Sequence, residues 1–228
     1  MYKTEKNLAI ALILPFFLFL ILTSLESQLG QFGLTYPMAY RLKILITSVA
    51  LLFCLPLVTA YFPLRFTRWT ALALPLGVAA TALWIGLSSL PLPIPGISGT
   101  RAAFNPWETE LLTTSAQAWG FWSVRMLGLA LLVPVMEELF LRGFLLRWIQ
   151  SENWLTLTVG DLSVKAWGAV LIYAVATHPE ILAAVVWFTL VTLYVQKTRN
   201  IWDAVLFHIG TNATLGLWVL FTGQWQLM

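Results

Sequence analysis

The chain has 228 residues, of which 59% are hydrophobic and only 10% charged, with a formal net charge of +3. A soluble domain carries about 25% charged residues, so most of this chain cannot present a water-facing surface and reads as a polytopic membrane protein. Its basic residues are scattered between apolar runs, which excludes the clustered footprint of a nucleic-acid-binding protein.

In chain order, Lys3 and Lys6 precede an apolar run over 8–25. The run is long and lacks a small-x-small cleavage pattern, so it predicts a first transmembrane helix rather than a signal peptide. Residues 44–62 and 69–90 predict the second and third spans, each close to the ~20 residues a crossing needs. Arg65 and Arg68 lie between them. The one cysteine, Cys54, sits inside the second run and reads as a small core residue. Pro91-Leu92-Pro93-Ile94-Pro95-Gly96 then breaks the helix. The connection onward to Gln117 is polar, with Arg101, Asn105, Glu108 and Glu110. It reads as a surface loop with room for a short interfacial helix or a lid. Residues 119–148 predict one long helix, and 151–163 a loop. Residues 164–196 are apolar but interrupted by His178-Pro179-Glu180. The first arm is too short for a full crossing, so its turn is expected inside the membrane depth, covered by protein. Asn200 predicts an N-cap with Asp203 in a capping-box position, and the last helix runs to about Phe221.

Placing the N-terminus in the cytoplasm puts Lys3, Lys6, Arg65, Arg68, Arg147, Lys165, Lys197 and Arg199 inside. Only Arg41, Lys43 and Arg101 then fall outside, as the positive-inside rule prefers. The predicted fold class is an all-α polytopic membrane protein: one transmembrane domain over 1–228, with seven or eight helices around a membrane-embedded polar cavity.

The cavity is predicted from 133–144, where Glu137, Glu138 and Arg142 lie in an apolar run. Each such group costs roughly 2.5–3.5 kcal/mol at the bilayer centre. Residues four apart share a helix face, so Glu138 and Arg142 can pair. Glu137 points about 100° away and is not neutralised in the same way. A carboxylate so placed can take a proton from water and return it to a leaving amine. Pro134 leaves a backbone carbonyl unbonded beside the site. His208 and Asn212, also four apart, can both donate hydrogen bonds to a developing oxyanion. Gly210 and Gly216 would let a neighbouring helix approach closely. His178 is the other of the chain's two histidines.

Each feature taken alone has a plain structural reading: a buried ion pair, a core histidine, or an asparagine that holds helices together at about 0.6 kcal/mol. Their combination favours chemistry. No G-x-S-x-G elbow or H-E-x-x-H zinc motif is present. Glu137, His178 and His208 could still hold a zinc ion with water as a fourth ligand. A non-catalytic scaffold or immunity protein is a second alternative. A proton-coupled transporter is a third, weakened because no inverted repeat is visible.

Glu137-Glu138-x-x-x-Arg142 resembles the first motif of the CPBP (CAAX protease and bacteriocin-processing) family of intramembrane proteases. His208-x-x-x-Asn212 is similar to its last motif, and His178 sits where the middle F-x-x-x-H motif has its histidine. Here the residue four before His178 is Ala174, and the nearest aromatic is Tyr173. The resemblance covers roughly 119–222, the catalytic core it implies. It implies a glutamate-dependent endopeptidase without a cofactor. In that scheme Glu137 activates water with His178, His208 and Asn212 stabilise the oxyanion, and Glu138 and Arg142 support the site. The implied substrate is a membrane-anchored protein or peptide within the lipid bilayer. The short chain and His178-Pro179-Glu180 also resemble a branch associated with bacterial exosortase sorting systems, which implies a bacterial inner membrane.

Overall fold

Segments that are apolar on every side fold as helices in lipid, because each must satisfy its own backbone hydrogen bonds. The computed structural model describes residues 2–90 and 102–228. Among these there is no strand, and seven helical segments follow in the predicted order. They are α1 (Tyr2–Leu29), α2 (Tyr36–Tyr61) and α3 (Thr70–Ser88), then a composite rod α4 over 115–148, and α5 (Val164–Thr177), α6 (Ile181–Thr198) and α7 (Ile201–Thr222). Five stretches are long and apolar enough to cross a membrane: Glu5–Glu26, Tyr36–Tyr61, Thr70–Ser88, Ile181–Thr198 and Ile201–Thr222. Val164–Thr177 is apolar but shorter.

The rod α4 is not uniform. α-Helix over Ser115–Leu127 gives way to a π-helical turn at Gly128–Leu132, and α-helix over Val133–Glu138 to a second at Leu139–Leu145, before Leu146–Trp148 closes it. The two π segments flank the glutamate pair, and such turns are common at functional sites. The rod starts before Trp119 because Thr114 and Gln117 form a reciprocal capping box. Ahead of it, the described residues 102–114 form turns and no interfacial helix. The Pro91–Gly96 break and Arg101 lie outside the described residues.

One expectation, at Asp203, needs correction, and Lys43 adds a contact that its charge alone did not announce. Lys43 is 4% exposed. Glu26 on α1 draws it inward, with Nζ 2.8 Å from Oε1, and the Phe19 and Tyr40 rings lie 4.6 and 4.5 Å from the ammonium. Asn200 does cap α7 by accepting from the Trp202 N–H at 3.2 Å. Asp203 does not complete a box, however. Its Oδ1 instead accepts from Asn200 Nδ2 at 2.8 Å and from Thr70 Oγ1 at 2.7 Å, tying α7 to α3.

Helices α3 and α7 form the closest crossing. A Cβ on Gly77 would overlap the Phe207 carbonyl, and one on Gly210 would stand 2.6 Å from the Leu74 carbonyl oxygen. Backbones meet there because neither residue has a side chain. Helix α1 packs on the second π segment, where Phe16 stacks on Phe140 at 4.3 Å. At one end of the bundle, the connections 62–69 and 149–163 and the α6–α7 turn are laced together. Tyr61 donates to the Leu155 carbonyl at 3.1 Å, Asn200 to the Arg65 carbonyl at 3.0 Å, and Trp202 to the Phe62 carbonyl at 2.8 Å.

Candidate active site

The charged residues of α4 point inward. Glu137 is 5% exposed, Glu138 fully buried and Arg142 3% exposed. One helical turn separates Glu138 from Arg142, and Nη1 of the arginine donates to Glu138 Oε2. The other guanidinium arm, Nη2, donates to Thr192 Oγ1 on α6 at 3.2 Å. The remaining oxygen of Glu138, Oε1, lies 3.1 Å from His208 Nδ1. Glu138 therefore joins α4 to α7 and fixes the imidazole. With Nδ1–H donating to the carboxylate, Nε2 accepts in the neutral ring and donates in the imidazolium. The Trp187 ring stands edge-on to the imidazole at 4.5 Å.

Glu137 has a different neighbour, as its 100° offset predicts. Tyr173 on α5 donates its hydroxyl to Glu137 Oε1 at 2.9 Å. Oε2 is left facing the interior. Nothing in the spacing of the two residues announces this bond, and the sequence reading treated Tyr173 only as the nearest aromatic to His178. Its one local signal is an intramembrane aromatic with a polar tip, which when buried seeks a partner.

Asn212 is set by the first π segment. In that turn the Val133 N–H reaches back five residues to the Gly128 carbonyl. The same register would pair the Leu129 carbonyl with residue 134, which is Pro134 and has no N–H. Asn212 Nδ2 donates to that carbonyl at 2.9 Å. The second amide N–H and Oδ1 remain for other partners.

His178 ends α5 with Nδ1 2.8 Å from Thr177 Oγ1, between the Trp84 ring at 5.5 Å and the Phe188 ring at 5.4 Å. Trp84 is buried, and its Nε1 has no hydrogen-bond partner among the described residues. It is a donor within the cavity wall that the sequence reading did not single out.

These groups share one cavity of about 350 Å³, whose walls include Glu137, His178, His208 and Asn212. The structure thus brings together all four residues assigned to chemistry. Glu138 and Arg142 stand behind them. Among the described residues, no three His, Cys, Asp or Glu side chains are grouped so as to hold a metal ion. The opposite wall comes from the N-terminal helices: Glu26 on α1, and Tyr36, Tyr40 and Lys43 on α2. Hydropathy alone linked this part of the chain to the site, yet its first three helices supply seven of the twenty residues that line the cavity.

Residues 118–214 match the family described as type II CAAX prenyl endopeptidase Rce1-like. The matched region opens in α4 and closes in α7, so it takes in the glutamate pair, His178, His208 and Asn212. No curated protein and no solved structure matches the chain.

Proposed function

We propose that this chain, whose residues 118–214 match the Rce1-like family of type II CAAX prenyl endopeptidases, is an integral membrane peptidase that works by a glutamate-activated water. A water held by Glu137 Oε2 gives up a proton as it attacks the scissile carbonyl. The tetrahedral oxyanion takes hydrogen bonds from the free amide N–H of Asn212 and from His208 Nε2 in its imidazolium form. Glu137 then returns the proton to the leaving amine. Tyr173 occupies Oε1 and so leaves one oxygen for the water. His178 assists from the far side of the water. Glu138 and Arg142 touch no substrate in this scheme. Glu138 holds the imidazole, and Arg142 compensates the buried charge.

The observation that carries this reading is the common cavity of Glu137, His178, His208 and Asn212, with both glutamates buried. The substrate is a membrane-anchored peptide or protein that reaches the cavity from the bilayer. The resemblance around His178-Pro179-Glu180 adds a C-terminal sorting helix of an exosortase-type system as a candidate. The test is cleavage of a lipid-anchored peptide in proteoliposomes by wild type and Glu137→Gln. The variant should lose at least about a hundredfold in kcat, as removal of a general base typically does. Equal cleavage by the two proteins refutes the role of Glu137. Activity lost to a chelator and restored by zinc would instead select metal chemistry.

A further inference from the structure

A second cavity of about 240 Å³ opens at the end of the bundle where the connections 62–69 and 149–163 meet the α6–α7 turn. Arg65, Arg147 and Arg199 line it, and no acidic side chain does. These arginines come from three segments more than fifty residues apart, and only the folded helices bring them to one opening.

Each arginine has a distinct status. Arg147 is buried and committed: Nε donates to the Leu157 carbonyl at 3.0 Å, Nη1 to the Gly143 carbonyl at 3.0 Å and Nη2 to Tyr61 Oη at 3.1 Å. These partners are neutral and the Tyr61, Phe62 and Trp154 rings also face the guanidinium at 5.6, 5.6 and 5.1 Å, so no carboxylate among the described residues cancels its charge. Arg199 is exposed and pairs with Asp161 on the rim. It ends α6 at φ +55°, in a left-handed conformation that glycine usually supplies. A side chain kept at such a position argues for a use of that side chain. Arg65 is exposed, and its guanidinium has no hydrogen bond or ion pair among the described residues. The opening therefore carries a net positive charge with guanidinium donors to spare.

The surroundings identify the anion. Leu64 and Phe66, on either side of Arg65, are 60% and 82% exposed. They sit in the loop between two membrane-length helices. Apolar side chains bracketing a free arginine at that depth suit the boundary between acyl chains and headgroups. We propose that this pocket binds the phosphate of an anionic phospholipid. Arg65 and Arg199 would grip the phosphate oxygens, Arg147 would supply fixed charge from below, and Leu64 and Phe66 would rest against the acyl chains. Guanidinium suits phosphate because its planar donors match two oxygens at once, and basic pockets between membrane helices bind such headgroups.

The test equilibrates the purified full chain with equal amounts of phosphatidylglycerol and phosphatidylcholine and measures the retained lipid by native mass spectrometry. It needs no peptidase activity, so its outcome is independent of the reading of the other cavity. Wild type should retain phosphatidylglycerol over phosphatidylcholine about tenfold or more, the scale of one charge-assisted hydrogen bond. R65Q/R199Q should retain the two lipids equally. R65Q alone, which breaks no hydrogen bond or ion pair among the described residues, should lose most of the preference while leaving the fold intact. Inorganic phosphate, added alone to delipidated protein, should raise its melting temperature less than phosphatidylglycerol does. Equal retention by wild type, an unchanged ratio in R65Q, or stabilisation by inorganic phosphate equal to that by the lipid would overturn the proposal.

Discussion

The fully buried Glu138 has two oxygens and two donors, Arg142 at Oε2 and His208 at Oε1. Glu138→Gln keeps the side-chain volume but replaces one acceptor oxygen with an NH₂ group. Whichever way the amide turns, one N–H then faces another donor. If Arg142 is the loser, a guanidinium that is 3% exposed keeps a single side-chain partner, Thr192 at 3.2 Å. Its Nε already lacks one. Removing one member of a buried ion pair costs about 3–5 kcal/mol, and the surviving amide bond places Glu138→Gln near 3. Unfolding by SDS in mixed micelles, followed by tryptophan fluorescence, measures this directly. The decisive comparison adds Arg142→Met, which removes the stranded charge and fills its volume. Glu138→Gln/Arg142→Met should recover to within about 1 kcal/mol of wild type. Peptidase turnover should stay low in both, by about a hundredfold, because the imidazole keeps a neutral acceptor but loses the carboxylate that stabilises its charged form. A double variant no more stable than Glu138→Gln would show that the buried charge is not what Glu138 compensates, and the reasoning would fail.

Tyr173→Phe removes only the hydroxyl that holds Glu137. It should lower kcat by about ten- to a hundredfold with KM nearly unchanged, the range of a hydrogen bond to a charged group, as read by steady-state cleavage kinetics. Gly77→Ala forces a methyl against the Phe207 carbonyl and should cost about 1–3 kcal/mol in the same SDS titration; a shift below about 0.5 kcal/mol would mean that α3 and α7 are free to separate. In the 149–163 connection, the Arg199 guanidinium holds the Asp161 carboxyl below its ordinary value. Its contribution is present above the unfolded-state value near ~3.9 and is lost as pH falls through the lower folded-state value. Hydrogen-exchange protection in this connection, taken relative to the intrinsic rate at each pH, should therefore fall below about pH 4 in wild type, and Asp161→Asn should remove that step.

Helical spacing made part of the site readable in advance. A helix places residues three and four apart on one face whatever surrounds it. Glu138 with Arg142, His208 with Asn212, and the offset of Glu137 all follow from that period. The His178-Pro179-Glu180 break followed from proline chemistry, and the membrane class from sheer lack of charge. Contacts between helices obey no such local rule. They depend on how far each helix is rotated about its axis and where it crosses its neighbour, which side-chain packing along the whole interface decides. Tyr173 therefore met Glu137, and Lys43 turned in to Glu26, without any mark in the order of residues. The π turn that leaves the Leu129 carbonyl for Asn212 was half visible, since Pro134 signals a missing donor but not which carbonyl loses it. The amino-acid order by itself determined which side chains could not be left in lipid. Only the tertiary arrangement decided which of them share a cavity, because that is settled by the fit of seven helices to one another.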